Sequence, residues 1–133
     1  MSRLKARILE IESVENLNIV KFSFNSTILT MMSLDLSENM VVGRDVYLVL
    51  KPTHIVIAKE FSGLVSFSNK MEAIVESVEN GKLLSCVKLL VDGVVIESII
   101  TLESAKEMNL KIGDGVTAML KASELSIAEV IDV

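Results

Sequence analysis

Two short segments of the sequence place a lysine two residues before a hydroxyl, each time directly after an apolar run. Lys51-Pro52-Thr53 follows the run that ends at Leu50, and Lys121-Ala122-Ser123 follows the run that ends at Leu120. Ammonium and hydroxyl groups both donate hydrogen bonds, and donors of this kind bind anions. The two segments therefore predict anion-binding groups at the ends of two strands.

A Thr-x-x-Ser motif also occurs twice, as Thr30 with Ser33 and as Thr101 with Ser104. Such hydroxyls commonly cap a helix or finish a strand, and this structural role stays open for each of them. A helix N-terminus also offers unpaired N–H groups and a partial positive charge to an anion. Together with the two lysine segments, these hydroxyls would complete a shell that contains only donors.

A shell of donors selects among oxyanions. Hydrogen phosphate carries a proton near neutral pH, and burying that O–H group without an acceptor is costly. Molybdate, tungstate and sulfate are fully deprotonated dianions, so such a pocket would accept them. The size of the pocket would then have to separate the larger molybdate and tungstate from sulfate.

The motifs belong to an internal repeat. Residues of the segment 39–58 recur in the segment 109–128 at a constant offset of 70 positions. The matched residues are Asn39, Gly43, Val46, Leu50, Lys51, Ile57 and Ala58 with Asn109, Gly113, Val116, Leu120, Lys121, Ile127 and Ala128. Upstream, an offset of 71 aligns Thr30 with Thr101 and Ser33 with Ser104. The sequence therefore predicts a tandem duplication.

Period-two hydrophobicity predicts strands in both halves. The spacing of Ser104 and Glu107 is that of a capping box and predicts a short helix. Asn80-Gly81 and Asp92-Gly93 predict tight turns. The second half is expected to contain strands over 71–78, 83–91, 94–101, 115–121 and 125–131, with the helix over 103–110. The first half is expected to contain strands over 4–14, 17–24, 27–32, 45–51 and 54–58, with a helical turn over 34–39.

Three strands, a short helix and two strands in about sixty residues are typical of a small OB-like barrel. We therefore expect an all-β protein made of two tandem five-stranded OB-like barrels, each with a short helix. The expected domains are residues 1–60 and 61–133, with residues 59–68 as the connector. A barrel of this size is marginally stable alone, so oligomerisation is expected.

The composition argues against several functions. The chain has 133 residues, a net charge of −5 and an aromatic content of 4%, which disfavours a nucleic-acid partner. No apolar stretch is long enough to span a bilayer, so we expect a soluble, cytoplasmic protein without a membrane partner. The sequence shows no histidine paired with a nucleophile and no metal-ligand spacing, so neither an enzyme nor a metal site is expected. Cys86 is expected to be buried and inert, and His54 to be structural.

The second half resembles a known family. The segments "SFSNKMEAIVESV" and "ITLESAKEMNLKIGDGVTAMLKASELSI" are similar to a molybdenum-pterin-binding (Mop) domain, also called a transport-associated OB (TOBE) domain, and the two halves together resemble the tandem molbindins. The resemblance implies a cytoplasmic protein that binds molybdate or tungstate for storage, buffering or homeostasis. It also implies six assembled barrels, which for a tandem chain is a homotrimer, with oxyanions at interfaces between neighbouring barrels.

In that family the oxyanion contacts come from a Ser-Ala-Arg-Asn segment, the Thr-x-x-Ser segment and the Lys-Ala-Ser segment. The oxyanion-binding residues that the resemblance implies here are Thr101, Ser104, Lys121, Ala122, Ser123, Ser66, Ser68 and Asn69. Their counterparts in the first half are Thr30, Ser33, Lys51 and Thr53.

The chain departs from the family pattern at three positions. Ser68 stands where the family has its arginine, Ser2 stands where the first half should have the asparagine, and Pro52 stands where the second half has Ala122. An arginine binds an oxyanion through two parallel hydrogen bonds and a permanent charge, which a serine cannot supply. The alternative function is therefore a regulatory or protein-interaction module of the same fold, with weakened or lost oxyanion binding.

Overall fold

The computed structural model describes residues 2–131, which form ten strands, one short α-helix and two 3-10 turns. The first half contains β1 (Ser2–Val14), β2 (Leu17–Phe24), β3 (Thr27–Ser33), β4 (Asp45–Leu50), the first 3-10 turn (Pro52–His54) and β5 (Val56–Ala58). The second half contains β6 (Asn69–Asn80), β7 (Leu84–Val91), β8 (Val94–Thr101), α1 (Leu102–Glu107), β9 (Gly115–Leu120), the second 3-10 turn (Ala122–Glu124) and β10 (Ser126–Val130). All ten predicted strands are confirmed, with bounds that shift by a few residues.

The strands form two five-stranded antiparallel sheets, in the orders β10-β4-β1-β2-β3 and β5-β9-β6-β7-β8. These are the two OB-like barrels that the sequence predicts, with one exchange between them. The last strand of each half joins the sheet of the other half, because β5 pairs with β9 and β10 pairs with β4. Each barrel is therefore completed by a strand from the other half of the repeat.

A tight turn at Asp92-Gly93 connects β7 to β8, as the sequence predicts. Val91 lies opposite Val94, and the φ angles of Asp92 and Gly93 are 48° and 86°. Two consecutive positive φ angles are typical of the type I′ turn, whose twist matches that of the flanking strands. Glycine adopts this conformation without a steric cost, which explains its place in the turn.

The strand pairing determines which residues of the two halves correspond. Lys21 lies opposite Thr30 in the first half, and Lys88 lies opposite Glu97 in the second. Lys88 comes 67 positions after Lys21, and Glu97 comes 67 positions after Thr30. Thr30 therefore corresponds to Glu97 in the repeat. The predicted correspondence of Thr30 with Thr101 is therefore wrong, because the match of the two Thr-x-x-Ser motifs shifts β3 by four residues relative to the strand pairing.

A length difference between β3 and β4 explains the error. The halves correspond at an offset of 67 through β3 and at an offset of 70 from Gly43 and Gly113 onward. The second half is thus three residues longer in this region, and α1 occupies the longer loop. Residues 34–44 of the first half form only bends and turns, so the predicted helical turn over 34–39 is wrong.

Helix α1 is capped at both ends. The Oγ1 atom of Thr101 accepts a hydrogen bond from the Ser104 N–H group at 3.1 Å, so Thr101 is the N-cap residue. The predicted cap at Ser104 is wrong, because Ser104 already lies in the first turn. At the other end, the Leu110 N–H group donates to the Ala105 carbonyl at 3.2 Å and Asn109 has a φ of 49°. This is a Schellman ending, with asparagine in the left-handed position.

A single hydrophobic core runs through both barrels and includes the exchanged segments. Ile55 and Ile57 of the first half and Leu125 of the second half are buried in it. Burying an aliphatic side chain of this size contributes about 1.5–3 kcal/mol to stability. The strand exchange is therefore stabilised by apolar contacts as well as by backbone hydrogen bonds.

Cys86 lies on the outer face of β7 and is only half-buried, so the predicted burial of this cysteine is wrong. The period of two in β7 turns its neighbours Ser85 and Val87 inward and Cys86 outward. Partial burial raises the pKa of the Cys86 thiol, and the nearby carboxylates of Glu97 and Glu79 raise it further. A thiol with a raised pKa is a poor nucleophile, in line with an unreactive cysteine.

The hairpin tips of the two halves contact each other. The Asp92 carboxylate accepts hydrogen bonds from the N–H and hydroxyl groups of Ser26, both at 2.8 Å, and from the Thr27 hydroxyl at 3.0 Å. The Asn25 side chain donates to the Asp92 carbonyl at 2.8 Å. The hydrogen bonds from Ser26, and then those from Thr27, lower the pKa of Asp92. One carboxylate thus joins the β2–β3 turn to the β7–β8 turn.

Candidate functional site

Two grooves lie where a 3-10 turn of one half packs against the other half. The first groove has a volume of about 460 Å³ and brings Ser33 of the first half together with Ser123 of the second. It is lined by Met31, Met32, Ser33, Leu34, Asp35, Met40, Ser123, Leu125, Ser126 and Ile127. The exchange of β10 creates this groove, because it carries the second 3-10 turn onto the first sheet.

The second groove is the counterpart of the first in the repeat. Its volume is about 400 Å³, and it brings Thr53 of the first half together with Ser104 of the second. It is lined by Thr53, Ile55, Val56, Ile57, Ile99, Ile100, Ser104, Glu107 and Met108. The sequence grouped the hydroxyl residues by half, whereas the structure combines one from each half in each groove.

The two lysines hold equivalent positions beside the grooves. Lys51 and Lys121 are the N-cap residues of the two 3-10 turns, with φ and ψ of −79° and 130° and of −68° and 146°. Both side chains are exposed and line neither groove. Ala122 keeps a backbone N–H group at the start of its turn, whereas Pro52 has none. The lysine motif of the second half therefore offers one more donor than that of the first half.

Three of the four Thr-x-x-Ser hydroxyls, those of Ser33, Thr101 and Ser104, have hydrogen-bond partners within the chain. The Thr101 hydroxyl donates to the Ser104 hydroxyl oxygen at 2.9 Å, beside the N-cap bond described above. The Ser33 hydroxyl donates to the Asp35 carbonyl at 2.8 Å. Thr101 is exposed and does not line the second groove, whereas Ser104 does. The helix-capping role is thus present, and Ser104 and Ser33 add their hydroxyls to the groove walls.

An acidic residue also lines each groove. Asp35 lines the first groove and Glu107 lines the second. The motifs in the sequence predict a shell that contains only donors, and the grooves of the single chain do not meet that condition. A carboxylate repels an anion at short range, so these two side chains oppose anion binding in the grooves.

Asn69 holds two segments of different halves together. It is fully buried, and its Oδ1 atom accepts the Thr30 N–H group at 2.7 Å while its Nδ2 atom donates to the Thr30 carbonyl at 2.9 Å. Ser66 and Ser68, the other residues of this segment, are exposed and line neither groove. Thr30 takes part through its backbone. Asn69 is thus bonded to protein atoms on both sides of its carboxamide.

Ser98 is a site-supporting residue that the sequence motifs do not reveal. It is fully buried, and its hydroxyl donates to the Ile55 carbonyl at 2.6 Å, directly after the first 3-10 turn. The available signal was its position, because Ser98 follows Ile96 on the inward-facing side of β8, where an apolar residue is expected. A polar residue at such a position needs a hydrogen-bond partner.

Charged groups fix the end of α1 beside the second groove. The Lys59 ammonium donates to the Met108 and Asn109 carbonyls and lies 3.0 Å from the Asp114 carboxylate. The Lys111 N–H group, and then Lys59, lower the pKa of Asp114. Lys59 follows β5, so it attaches the exchanged strand of the first half to the helix of the second.

The 3-10 turns also contact each other. His54 of the first turn and Glu124 of the second lie at corresponding positions, and the His54 Nδ1 atom is 3.1 Å from the Glu124 carboxylate. This contact places the two lysine-bearing turns side by side. Among residues 2–131, no cluster of three or more histidine, cysteine or acidic side chains is arranged to hold a metal ion. None of the helices in that range is long and apolar enough to cross a membrane.

The two sheets and the two grooves define the class of the fold, a tandem OB-like barrel protein. Residues 66–127 match the TOBE domain family. The match lies in the second half of the chain, in agreement with the sequence resemblance to that family.

Two solved structures are similar to the chain. The first, described as the cytoplasmic molybdate-binding protein ModG with molybdate bound, has a TM-score of 0.90 and 23% identity over 95% of this chain and 94% of its own. At that identity the likeness establishes the fold. The second, a molybdate-binding protein from Sporomusa ovata, has 30% identity over 53% of this chain and 97% of its own, with a TM-score of 0.46. A comparison with curated proteins found no match.

Proposed function

We propose that this protein binds molybdate, and tungstate by the same chemistry, as a cytoplasmic store or buffer of the oxyanion. The observation that carries the proposal is the crosswise pairing of the hydroxyls: Ser33 lies with Ser123 in one groove, and Thr53 lies with Ser104 in the other. The TOBE match of the second half and the molybdate-binding description of the structurally similar ModG support the choice of ligand.

In this proposal the hydroxyls and the lysines have different roles. Ser33, Ser104, Ser123 and Thr53 donate hydrogen bonds to the oxyanion from the groove walls. The exposed lysines next to the 3-10 turns supply positive charge, which a net charge of −5 makes necessary. Charge-assisted donors are roughly twice as strong as neutral ones, so the lysines should dominate the affinity. Thr101 and Thr30 support these positions through the helix cap and the Asn69 contact.

Isothermal titration of the purified protein with molybdate, tungstate, sulfate and phosphate tests the proposal. We expect heat of binding for the first two, and a loss of affinity of tenfold or more, about 1.4 kcal/mol, in Lys121→Ala. Lys88→Ala is the matched control, because Lys88 is an exposed lysine within β7 and does not adjoin either 3-10 turn. Absence of binding to all four anions in the unmodified protein would refute the proposed function.

Substitutions of the acidic groove residues give a second test, in which affinity is expected to rise rather than fall. Asp35→Asn in the first groove and Glu107→Gln in the second remove a negative charge without removing the side chain. If the anion binds in these grooves, each substitution should increase molybdate affinity. An unchanged affinity in both variants would place the oxyanion elsewhere on the protein.

A homotrimer completes the proposal. Large apolar side chains are exposed on the single chain, among them Leu83 at 81%, Ile112 at 75% and Leu34 at 67%. Contacts between copies would cover them and would add barrel-to-barrel interfaces at which Ser66, Ser68 or Ala122 could reach an oxyanion. Light scattering coupled to size exclusion checks this. The expected mass is about three times 14.6 kDa, and a monomer at micromolar concentration would contradict it.

The alternative function is a protein-interaction module of the same fold with little oxyanion binding. Two observations favour it: Ser68 replaces the family arginine, and a carboxylate lines each groove. The variant Ser68→Arg distinguishes the two functions. It should increase molybdate affinity if the oxyanion site is present and merely weakened, and it should have no effect if the site is lost.

A further inference from the structure

We infer that Asn69 and Ser98 are positioning residues, each of which controls the oxyanion affinity of one groove without touching the ligand. The inference rests on the proposed function and deepens it. Both side chains are fully buried and line neither groove. They are two of the three buried polar residues in the part of the chain that the structure describes, and both form hydrogen bonds between the two halves.

Asn69 joins the two walls of the first groove. Through its backbone it pairs with Leu120, the residue before Lys121 and the second 3-10 turn. Through its carboxamide it holds the N–H and carbonyl groups of Thr30, three residues before Ser33. Ser33 and Ser123 stand on those two walls, so the spacing of their hydroxyls depends on this side chain.

Ser98 does the same for the second groove. Its hydroxyl holds the Ile55 carbonyl, two residues after Thr53, at 2.6 Å. Along β8 it precedes Thr101 and α1, which carries Ser104. The bond therefore fixes the wall with Thr53 against the wall with Ser104. Both hydroxyls line the second groove.

Asn69 and Ser98 occupy positions that have no equivalent buried polar residue in the first half. The counterpart of Asn69 is Ser2, whose hydroxyl oxygen accepts a single bond from the Glu97 N–H group at 3.3 Å. The counterpart of Ser98 at an offset of 67 is Met31, which has no group for such a bond. Both buried polar residues thus belong to the second half, and each groove depends on a different one of them.

The test uses proteins with one groove disabled. Lys51→Ala leaves the first groove active, and Lys121→Ala leaves the second. Asn69→Ser, which copies the counterpart residue Ser2, is added to each background, and so is Ser98→Ala. Molybdate affinity is measured by isothermal titration for all six proteins, with thermal unfolding measured in parallel.

We expect Asn69→Ser to weaken binding about tenfold in the Lys51→Ala background and to leave binding unchanged in the Lys121→Ala background, since supporting residues affect ion affinity on this scale. Ser98→Ala should show the reverse pattern. Ser98→Thr, which retains the hydroxyl, should restore affinity. A purely structural role would lower the unfolding temperature without selecting one groove.

Equal losses in both backgrounds, or no loss in folded variants, would overturn the inference. If Asn69→Ser does not fold, the comparison of Ser98→Ala with Ser98→Thr decides it alone, because that pair differs in the hydroxyl that makes the bond. Failure of the proposed function would give a different result from failure of this inference, because the unmodified protein itself would then not bind molybdate.

Discussion

The two halves of the chain share one barrel but differ in the loop between the third and fourth strands. In the second half this loop contains α1, capped by Thr101 and closed by Asn109. In the first half the loop is three residues shorter and contains only bends and turns. Ser33 ends β3 there and uses its hydroxyl to hold the Asp35 carbonyl instead of a helix N-terminus.

This comparison separates what the barrel requires from what the groove requires. The ladders, the bulge in each first strand and the glycine before each fourth strand recur in both halves. The helix does not recur, yet both grooves form and both bring two hydroxyls together. A groove of this kind therefore depends on the exchanged strands and 3-10 turns, and the helix is one of two ways to supply its outer wall.

The largest predicted effect comes from separating the halves. Residues 1–62 and 63–133, expressed alone, should not yield a folded monomer, because β4 loses β10 and β9 loses β5. Circular dichroism and light scattering should report aggregated or homodimeric material. Co-expression of the two fragments is the control and should give a one-to-one complex. A monomeric fragment with a cooperative unfolding transition would show that the strand exchange is dispensable.

The next effect concerns the helix cap that only the second half possesses. Thr101→Ala should destabilise the protein by about 1 kcal/mol, the usual cost of a lost N-cap. Ser33→Ala, at the end of the corresponding strand, should cost less than about 0.5 kcal/mol, since no helix depends on it. Urea denaturation measures both values, and Thr101→Ser should retain the wild-type stability. If the two alanine variants lost similar amounts of unfolding free energy, the helix cap would not distinguish the two loops.

A smaller effect is expected where the two hairpin tips meet. The pKa of Asp92 is lowered in the folded state, so this carboxylate stabilises the protein above its unfolded-state pKa of about 3.9. That stabilisation is lost as the pH falls through the lower folded-state pKa. Asp92→Asn should therefore lower the unfolding temperature at pH 7, and the difference from the unmodified protein should shrink toward pH 3.

Glu12→Gln provides the control for that experiment. Glu12 is an exposed carboxylate of β1, and its substitution changes the net charge by the same amount. If both variants show the same pH dependence, net charge rather than the hairpin contact would explain the effect.

The smallest effect concerns Cys86, whose counterpart in the first half is Ile19. The raised pKa of the Cys86 thiol should make its alkylation by iodoacetamide at pH 8 slower than that of a free cysteine. Glu97→Gln removes a charge that contributes to the shift and should accelerate the reaction, whereas Glu103→Gln in α1 should not. Equal rates in all three proteins would mean that exposure alone controls the thiol.

The strands were predictable because alternation and turn chemistry are local properties. The dipeptide Asp92-Gly93 is by itself a signal for a tight turn, and the apolar runs ending at Leu50 and Leu120 mark the ends of β4 and β9. The exchange was not predictable from such signals. β5 and β10 present similar apolar patterns to either sheet, so nothing in their own residues decides which β4-type strand they join.

The candidate site was predictable in its residue types but not in its pairing. Ser33, Ser104, Thr53 and Ser123 were all proposed from sequence, yet their partners follow from the exchange. The alignment of Thr30 with Thr101 was wrong because it followed the match of the four-residue motif. The three-residue insertion after the third strand of the second half is visible only in the strand pairing. Ser98 was not predicted, because a single inward-facing serine in a strand does not by itself indicate a functional role. Its role depends on its partner, the Ile55 carbonyl of the other half.

The strand exchange has a consequence for how such a protein arises. A chain with a single copy of this repeat would carry a last strand with no place in its own sheet, and two such chains could complete each other only as a symmetric dimer. Fusing the copies replaces that encounter with an intramolecular one, at an effective concentration set by the ten-residue connector 59–68. Once joined, the copies no longer need to be identical, and one copy can lose residues that the other still supplies.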